Sequence, residues 1–569
     1  MRSMRWGTLV LASVAALAFS CERAPSPDSR SVVLVTLDTT RADVLTGFGG
    51  QREIAPVLEA LCAESVRFTN AHTVAPLTLP AHSSMFTGLY PPRHGVRANG
   101  PARLATAADT LAERAAHAGF QTAGFVGALA LDHDYGIAQG FETWTQPEEN
   151  SGRVTGQISD RPASEVLFDA RAWLAQRDHR RPFFLWIHLF DPHAPYVAAP
   201  RFVAQAGGSA YHGEVASLDA ELGRLIEQLR DEEFLERGSL LVVGDHGEAL
   251  GDHGEDTHGL HVWESTLKVP LFLRLAGAAR AGEERREFTS VVDVAPTLAE
   301  LMGLAPVAGI DGVSLLGTPV QGRGTYFESL SGWARFRWSP MCGWIGPEGK
   351  YVHSSKPRLW ALRGDEELDG AAGQPASVER AKRAIRAVLD APALPRGHLS
   401  GSSRAHAAIA ALGYGSGGEL EPEYPDPLEP TDLASPDERL EEYRTFIAAQ
   451  ALHQTGKRAE AAEKLEQIVA SNPRSVHVLD ELAQTLVDLE RWPRAIEVLQ
   501  LRLHFTPDRI STHQLLVQCF TATGDEAQAH EHTRAALALL AELAEQRGQP
   551  AEAEHYRELL REDDESGRR

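Results

Sequence analysis

Three aspartates close three short apolar runs of this 569-residue chain. Asp38 follows Ser31–Leu37, Asp191 ends the run that starts at Phe183, and Asp245 follows Leu240–Gly244. One aspartate after a strand is ordinarily a turn former or a helix cap. Here histidines accompany two of the three. His188 and His193 flank Asp191, and Asp245 opens the tetrad Asp245-His246-Gly247-Glu248, with His253, His258 and His261 just beyond. Carboxylate with imidazole suits zinc, or manganese, better than calcium, which favours all-oxygen cages. Two clusters allow one ion or two; with two, one activates a nucleophile and the other steadies the leaving oxygen. Taken alone, His253 and His261 read as inert loop residues.

A nucleophile candidate lies in Pro76-Leu77-Thr78-Leu79-Pro80-Ala81-His82. Pro80 suits the first turn of a helix, which puts Thr78 just before the helix N-terminus. Free backbone N–H groups and the positive end of the dipole favour an anionic group there. A threonine in that place is usually a simple cap, but a hydroxyl held by a metal ion becomes a usable nucleophile.

The elements that would position these residues alternate. Ser31–Leu37, Gln121–Val126, Phe183–Phe190 and Leu240–Gly244 read as strands, with helical periodicity at Ala107–Ala118 and Glu214–Leu229. Continuously apolar strands between amphipathic helices predict an α/β fold with a mostly parallel, doubly covered sheet. Ligands of such sheets sit at the carboxyl edge, where Asp38, Asp191 and Asp245 would converge. A smaller block follows around Gly349–Leu368. The Gly-, Pro- and Ser-rich stretch 391–435 reads as a linker. The segment 436–563 is rich in Ala, Leu, Glu and Gln and repeats every 34 residues: Ala461, Ala495 and Ala529; Pro473 and Pro507; Leu452, Leu486 and Phe520. That period looks like about three tetratricopeptide repeats, an all-α domain whose concave face binds a protein or peptide or packs on the catalytic domain.

The formal net charge of −23 argues against nucleic acid or an anionic membrane surface as a partner. It leaves an anionic substrate open, because bound cations reverse the local field. Arg2 and Arg5 precede an apolar run, Trp6–Phe19, too short to cross a bilayer comfortably. Residues 1–21 therefore read as an export signal, and Cys21 resembles a bacterial lipoprotein cleavage site. Residues 22–30 would be a tether and 31–390 the catalytic domain. The expected location is the cell envelope, with a lipid anchor as the sole membrane attachment. Cys62, Cys342 and Cys519 give no disulfide framework and read as buried apolar residues.

Four ordered stretches, Val33–Arg41, Thr78–Gly95, Phe190–Tyr196 and Asp245–Glu248, resemble sulfatase-family motifs, and the resemblance spans roughly residues 31 to 370. It implies the alkaline-phosphatase superfamily fold, a divalent metal and an anionic ester substrate. Where sulfatases carry a Cys or Ser converted to formylglycine, followed by Pro and Arg, this chain has Thr78, Pro80 and His82. Thr78 cannot become formylglycine, and the departures resemble phosphodiesterase, phosphonate-ester and phosphomutase relatives. Carried over, Asp38, Thr78, Asp245 and His246 would surround one ion. Asp191, His193 and His258 would hold a second ion or the substrate and leaving group, His82 and His188 would contact substrate, and Arg41 would be structural. The reading is therefore a metal-dependent hydrolase of sulfate, phosphate or phosphonate esters with a threonine nucleophile. A scaffold with a degenerate catalytic domain and a phosphoryl head-group transferase are the alternatives.

Overall fold

The computed structural model describes residues 27–100, 102–147, 160–363, 366–369, 375–398, 423–546 and 549–566. The expected export signal, Cys21 and most of the tether lie outside the described residues, as do residues 399–422 of the expected linker.

Strand β1 (Val32–Leu37) runs between two parallel neighbours, so both edges are paired and none of its residues reaches solvent. The eight strands lie in the order Glu284–Arg285, Val66–Phe68, Leu271–Arg274, Ser239–Gly244, β1, Phe183–Leu189, Gln121–Val126, Thr143–Thr145. Pairing is parallel except on either side of Leu271–Arg274. Side chains alternate between two apolar layers. Val33, Val35 and Leu37 pack with Ala163, Val166 and Leu222, while Val32 and Leu34 pack with Leu79, Met85 and Phe86. Burial on both faces explains why the central strands read as unbroken apolar runs. The expected helix Ala107–Ala118 starts only at Leu111, because Thr110 and Glu113 form a reciprocal capping box there. The other extends beyond its periodic part, from Ala210 to Asp231.

The block after the main sheet is a five-stranded antiparallel meander, Thr325–Ser329, Met341–Gly346, Gly349–His353, Arg358–Arg363 and Glu366–Asp369. Of the expected linker, residues 423–435 are docked. The Tyr424 ring lies 5.6 Å from the Arg97 guanidinium and 5.6 Å from Trp333, and the Ala434 carbonyl accepts from the Ser339 amide at 2.8 Å.

An all-helical region follows, in pairs: Leu440–Gln454 with Arg458–Ser471, Val476–Asp488 with Trp492–Phe505, and Ile510–Thr523 with Glu526–Gln546, then Pro550–Ser566. The second helices begin 34 residues apart, at Arg458, Trp492 and Glu526, and Ala461 and Ala495 are buried at matching positions. The helical region packs on the preceding part of the chain, one of the two expected uses of its surface. Helix Ser331–Phe336 of the catalytic part packs on Val476–Asp488, and Phe336 is enclosed by Phe446, Tyr443 and His477. Trp338 Nε1 donates to Glu442 at 3.2 Å, and Asn472 Nδ2 donates to the Phe336 carbonyl at 2.9 Å. Cys62, Cys342 and Cys519 are free and buried.

Phe336 is 0% exposed, and truncating it leaves a cavity where the two parts meet. Phe336→Ala should lower the free energy of unfolding by about 3–5 kcal/mol. A urea midpoint indistinguishable from that of the unsubstituted chain would show that this junction is not cohesive.

Candidate active site

Parallel register sets the level of each strand end. Leu37 lies opposite both Leu189 and Gly244, so Asp38 and Asp245 leave the sheet at one height. Parity sets the side. Asp38 continues the row of Leu34 and Thr36, Asp245 that of Leu241 and Val243, and His188 that of Phe184 and Trp186, all toward the layer containing helix Thr78–Thr87. Asp191 continues the opposite row, Ile187 and Leu189, and stands one residue beyond the common level. Its Oδ2 accepts the Ala163 amide at 2.7 Å and caps helix Ala163–Gln176. Asp191 is therefore not brought together with Asp38 and Asp245, its Oδ2 being taken by the helix cap.

Asp38, Asp245 and His246 meet in a fully buried cluster. His246 Nδ1 lies 3.0 Å from the Gly247 carbonyl, which can only accept, so Nδ1 carries the proton and Nε2 presents a lone pair. That nitrogen is 3.9 Å from Asp38 Oδ1 and 3.7 Å from Asp245 Oδ2. All three atoms are buried without a hydrogen-bond partner. The opposite sides of the same groups are satisfied. Asp245 Oδ1 accepts the amides of Thr39 and His246 at 3.2 and 2.7 Å. Burial pushes the Asp38 carboxyl up to about 8 and Asp245 well above the usual carboxylate range, and it holds His246 well below the usual imidazole range. Three acceptors facing one another need a positive charge between them, and the donor set fits a divalent cation.

Thr78 begins its helix instead of preceding it, and its hydroxyl is close enough to Asp38 to oppose the burial that raises that carboxyl. Asn99 Oδ1 accepts the Leu79 amide at 2.9 Å and takes the capping place expected of Thr78. Thr78 is 3% exposed, beside the cradle and at the positive end of a helix.

His82 and His188 turn inward, away from the front of the site. Both are fully buried behind the cradle, around Thr36. The Thr36 hydroxyl meets Trp186 Nε1 at 3.0 Å, His188 Nδ1 at 2.9 Å and His82 Nε2 at 3.1 Å. His82 Nδ1 donates to the Thr78 carbonyl at 2.8 Å, and His188 Nε2 meets Asp38 Oδ2 at 3.1 Å. Every nitrogen of the two rings is therefore engaged, so the second grouping of possible ligands, His82, His188 and Asp245, is spoken for. With Asp191 at the helix cap, Asp38, Asp245 and His246 form the cradle at this edge whose facing atoms lack partners.

His258 completes the front of the site, its ring 4.4 Å from that of His246 and 5.1 Å from that of His193. Burial lowers its pKa, but Glu248, 3.0 Å from Nδ1, more than compensates and favours the imidazolium. His193 stacks on Phe190 at 4.4 Å and donates through Nδ1 to the Ala194 carbonyl. Arg41 is structural as expected, tying Asp43 and Asp252 to the carbonyls of Glu248 and Ala249. His253 stacks on Trp263 at 4.1 Å and His261 lies 3.5 Å from Asp437, so both anchor the loop.

Sequence reasoning assigned no role to Thr36, Trp186, Asn99 or Glu248. A threonine inside an otherwise aliphatic strand was the available signal for Thr36, since a buried hydroxyl requires partners. Thr39 had one too. It stands at φ 47°, which is strained for a β-branched residue, and this turns its N–H onto Asp245. A cleft of about 460 Å³ bordered by Arg41, Arg52, His212 and Leu250 opens beside this edge without including the cradle.

The model of the sulfatase family matches residues 30–304. This segment belongs to the sulfatase family. The choline-sulfatase of Rhizobium meliloti is 28% identical over 341 residues, covering 46% of this chain and 66% of that enzyme. Among solved structures, one in complex with its substrate D-glucosamine-2-N,6-O-disulfate matches with a TM-score of 0.54 at 17% identity, covering 63% of this chain and 97% of that one. The phosphonate monoester hydrolase of Agrobacterium radiobacter matches with a TM-score of 0.52 at 20% identity, covering 63% and 95%. At these identities the likeness to solved structures is one of fold. In the sulfatase-family segment, Asp38, Asp245 and His246 form a buried group that could hold an ion.

Asp245→Asn removes one facing charge and should abolish stoichiometric metal. Metal analysis after dialysis, with the rise in melting temperature on adding Zn²⁺, reads this out. The unsubstituted chain should gain about 2–4 kcal/mol at saturating metal and the variant almost none. Equal metal content in both would show that the cradle is not the binding site.

Proposed function

We propose that this chain is a metal-dependent hydrolase of anionic sulfate, phosphate or phosphonate esters, with Thr78 as its nucleophile. The observation that carries the reading is the set of buried, unpartnered ligand atoms on Asp38, Asp245 and His246, with Thr78 beside Asp38 at the start of its helix. Family membership supports ester hydrolysis as the reaction class, and relatives named for sulfate and for phosphonate esters support the breadth of the substrate class. Mixed carboxylate and imidazole donors favour zinc over manganese or calcium. The bound cation would supply Lewis-acid polarisation of the ester oxygens and neutralise their charge.

The residues of the chain divide the rest. Thr78 Oγ attacks the sulfur or phosphorus atom and its proton passes to the Asp38 carboxylate. The bond to the leaving oxygen breaks as His258, kept as imidazolium by Glu248, delivers a proton to that oxygen. Water then attacks the threonyl ester, giving a proton to His258, while Asp38 returns its proton to Thr78 Oγ as that bond breaks and the acid anion leaves. His82 orients Thr78 through its main-chain carbonyl, and His188 holds the rear oxygen of Asp38. The N-terminal pattern adds the proposal that the enzyme works in the cell envelope as a lipid-anchored protein; Cys21→Ser should release it from the membrane fraction.

The deciding measurement is turnover of matched aryl sulfate, phosphomonoester, phosphodiester and phosphonate monoester by metal-loaded protein. Thr78→Ala should cost at least about 10³-fold in kcat on the best of them. A Thr78→Ala chain of full activity would eliminate the threonine mechanism. A metal-loaded chain inert on all four esters would favour the scaffold reading.

A further inference from the structure

The loop Gly254–His261, which carries His258, is held from two sides. In the catalytic part, Ser329 Oγ donates to the Gly259 carbonyl at 2.6 Å, and Glu255 Oε1 accepts the amides of Leu260 and His261 at 3.0 and 3.3 Å. A second set of attachments comes from the start of the helical region. Arg444 Nη2 donates to the Gly254 carbonyl at 3.2 Å, the Tyr443 and Thr257 hydroxyls lie 3.4 Å apart, and Asp437 Oδ1 is 3.5 Å from His261 Nδ1. Leu260, 1% exposed, packs in one apolar cluster with Phe336, Trp338 and Tyr443. The anchored positions bracket His258 closely on both sides.

These contacts are not needed to dock the two parts of the chain, because the Phe336–Trp338 segment and its helices already do so. They act on the loop. Loops carry chemistry only where a scaffold fixes them, and a misplacement of about 1 Å can cost about a hundredfold in rate. Other anchors hold the far end of the same excursion, such as Arg41 on Asp252 at 2.8 Å. At the turn next to His258, Tyr443 of the helical region meets Thr257 on one side, and Ser329 holds Gly259 on the other.

We propose that Tyr443, Asp437 and Arg444 are positioning residues of the active site, and that the helical region completes the catalytic centre by fixing the Gly254–His261 loop so that His258 faces the Asp38–Asp245–His246 cradle. The role of His258 rests on the hydrolase reading above; the place where it is held rests on the contacts alone.

The test combines Tyr443→Phe, Asp437→Asn and Arg444→Ala in the full-length, metal-loaded chain, with hydrogen exchange as a second readout. We expect kcat on the best ester to fall by about tenfold, with KM and metal content unchanged. The same triple change in a His258→Ala chain should cause no further loss, because residues acting through one side chain are not additive. Amides 254–261 should exchange faster while those of Val476–Asp488 keep their protection. Undiminished turnover of the triple variant, or a loss that multiplies that of His258→Ala, overturns the proposal. If the unsubstituted chain turns over no ester, the hydrolase reading fails, and exchange alone decides: lost protection at 254–261 upholds the positioning role and unchanged protection overturns it.

Discussion

Two carboxyl oxygens and one imidazole lone pair, from Asp38, Asp245 and His246, face each other in a fully buried space with no hydrogen-bond partner. In a low-dielectric interior this arrangement is unfavourable unless a cation fills it, because each group has lost water and gained only repulsion. The chain nevertheless fixes the three groups from behind. The amides of Thr39 and His246 hold the far oxygen of Asp245, His188 holds that of Asp38, and the Gly247 carbonyl sets the tautomer of His246. Orientation by such outer partners is how a protein selects which atoms a metal meets.

The web behind the cradle explains an unusual burial of histidine. Thr36 stands in the centre of β1 with Trp186, His82 and His188 around one hydroxyl. If His82 Nδ1–H serves the Thr78 carbonyl, its Nε2 accepts from Thr36, and His188 Nδ1–H donates to Thr36 in turn. The remaining contact, His188 Nε2 with Asp38 Oδ2, then shares a proton between a carboxyl that burial raises to about 8 and an imidazole that burial lowers to about 3. One chain of hydrogen bonds thus joins Thr78, the first residue of its helix, to the rear of Asp38. Strain at Thr39 belongs to the same construction. A β-branched residue in the left-handed region costs on the order of 1–3 kcal/mol, and the Tyr211 hydroxyl pins its carbonyl at 2.8 Å.

The helical region stands in a different relation to the catalytic part than that of a detachable adaptor. Its first helices receive Phe336 and Trp338, and its leading turn reaches the loop beside His258. The 34-residue period describes the internal packing of helix pairs, each of which buries small residues such as Ala461 and Ala495 against its neighbours. What those helices pack against is a separate matter, and here part of it is the same chain.

Much of this protein was legible in its sequence. Strands occur where β-branched apolar runs were seen, because a doubly covered parallel sheet admits no polar row. The helix-pair period was visible because each pair must bury the same small residues. Asp38, Thr78, Asp245, His246 and His258 were singled out by type and spacing, and they converge. Other features were decided only by the tertiary structure. Register and parity sent Asp191 to the opposite layer, although it follows a strand just as Asp38 and Asp245 do. Packing turned His82 and His188 inward to Thr36, since a histidine that borders a site can lie on either side of it. The attachment of Tyr443 and Asp437 to the loop joins residues far apart along the chain, and no local pattern records such a contact. Sequence determines which groups can be ligands, strands and helices; which way each group faces depends on neighbours that only the folded chain supplies.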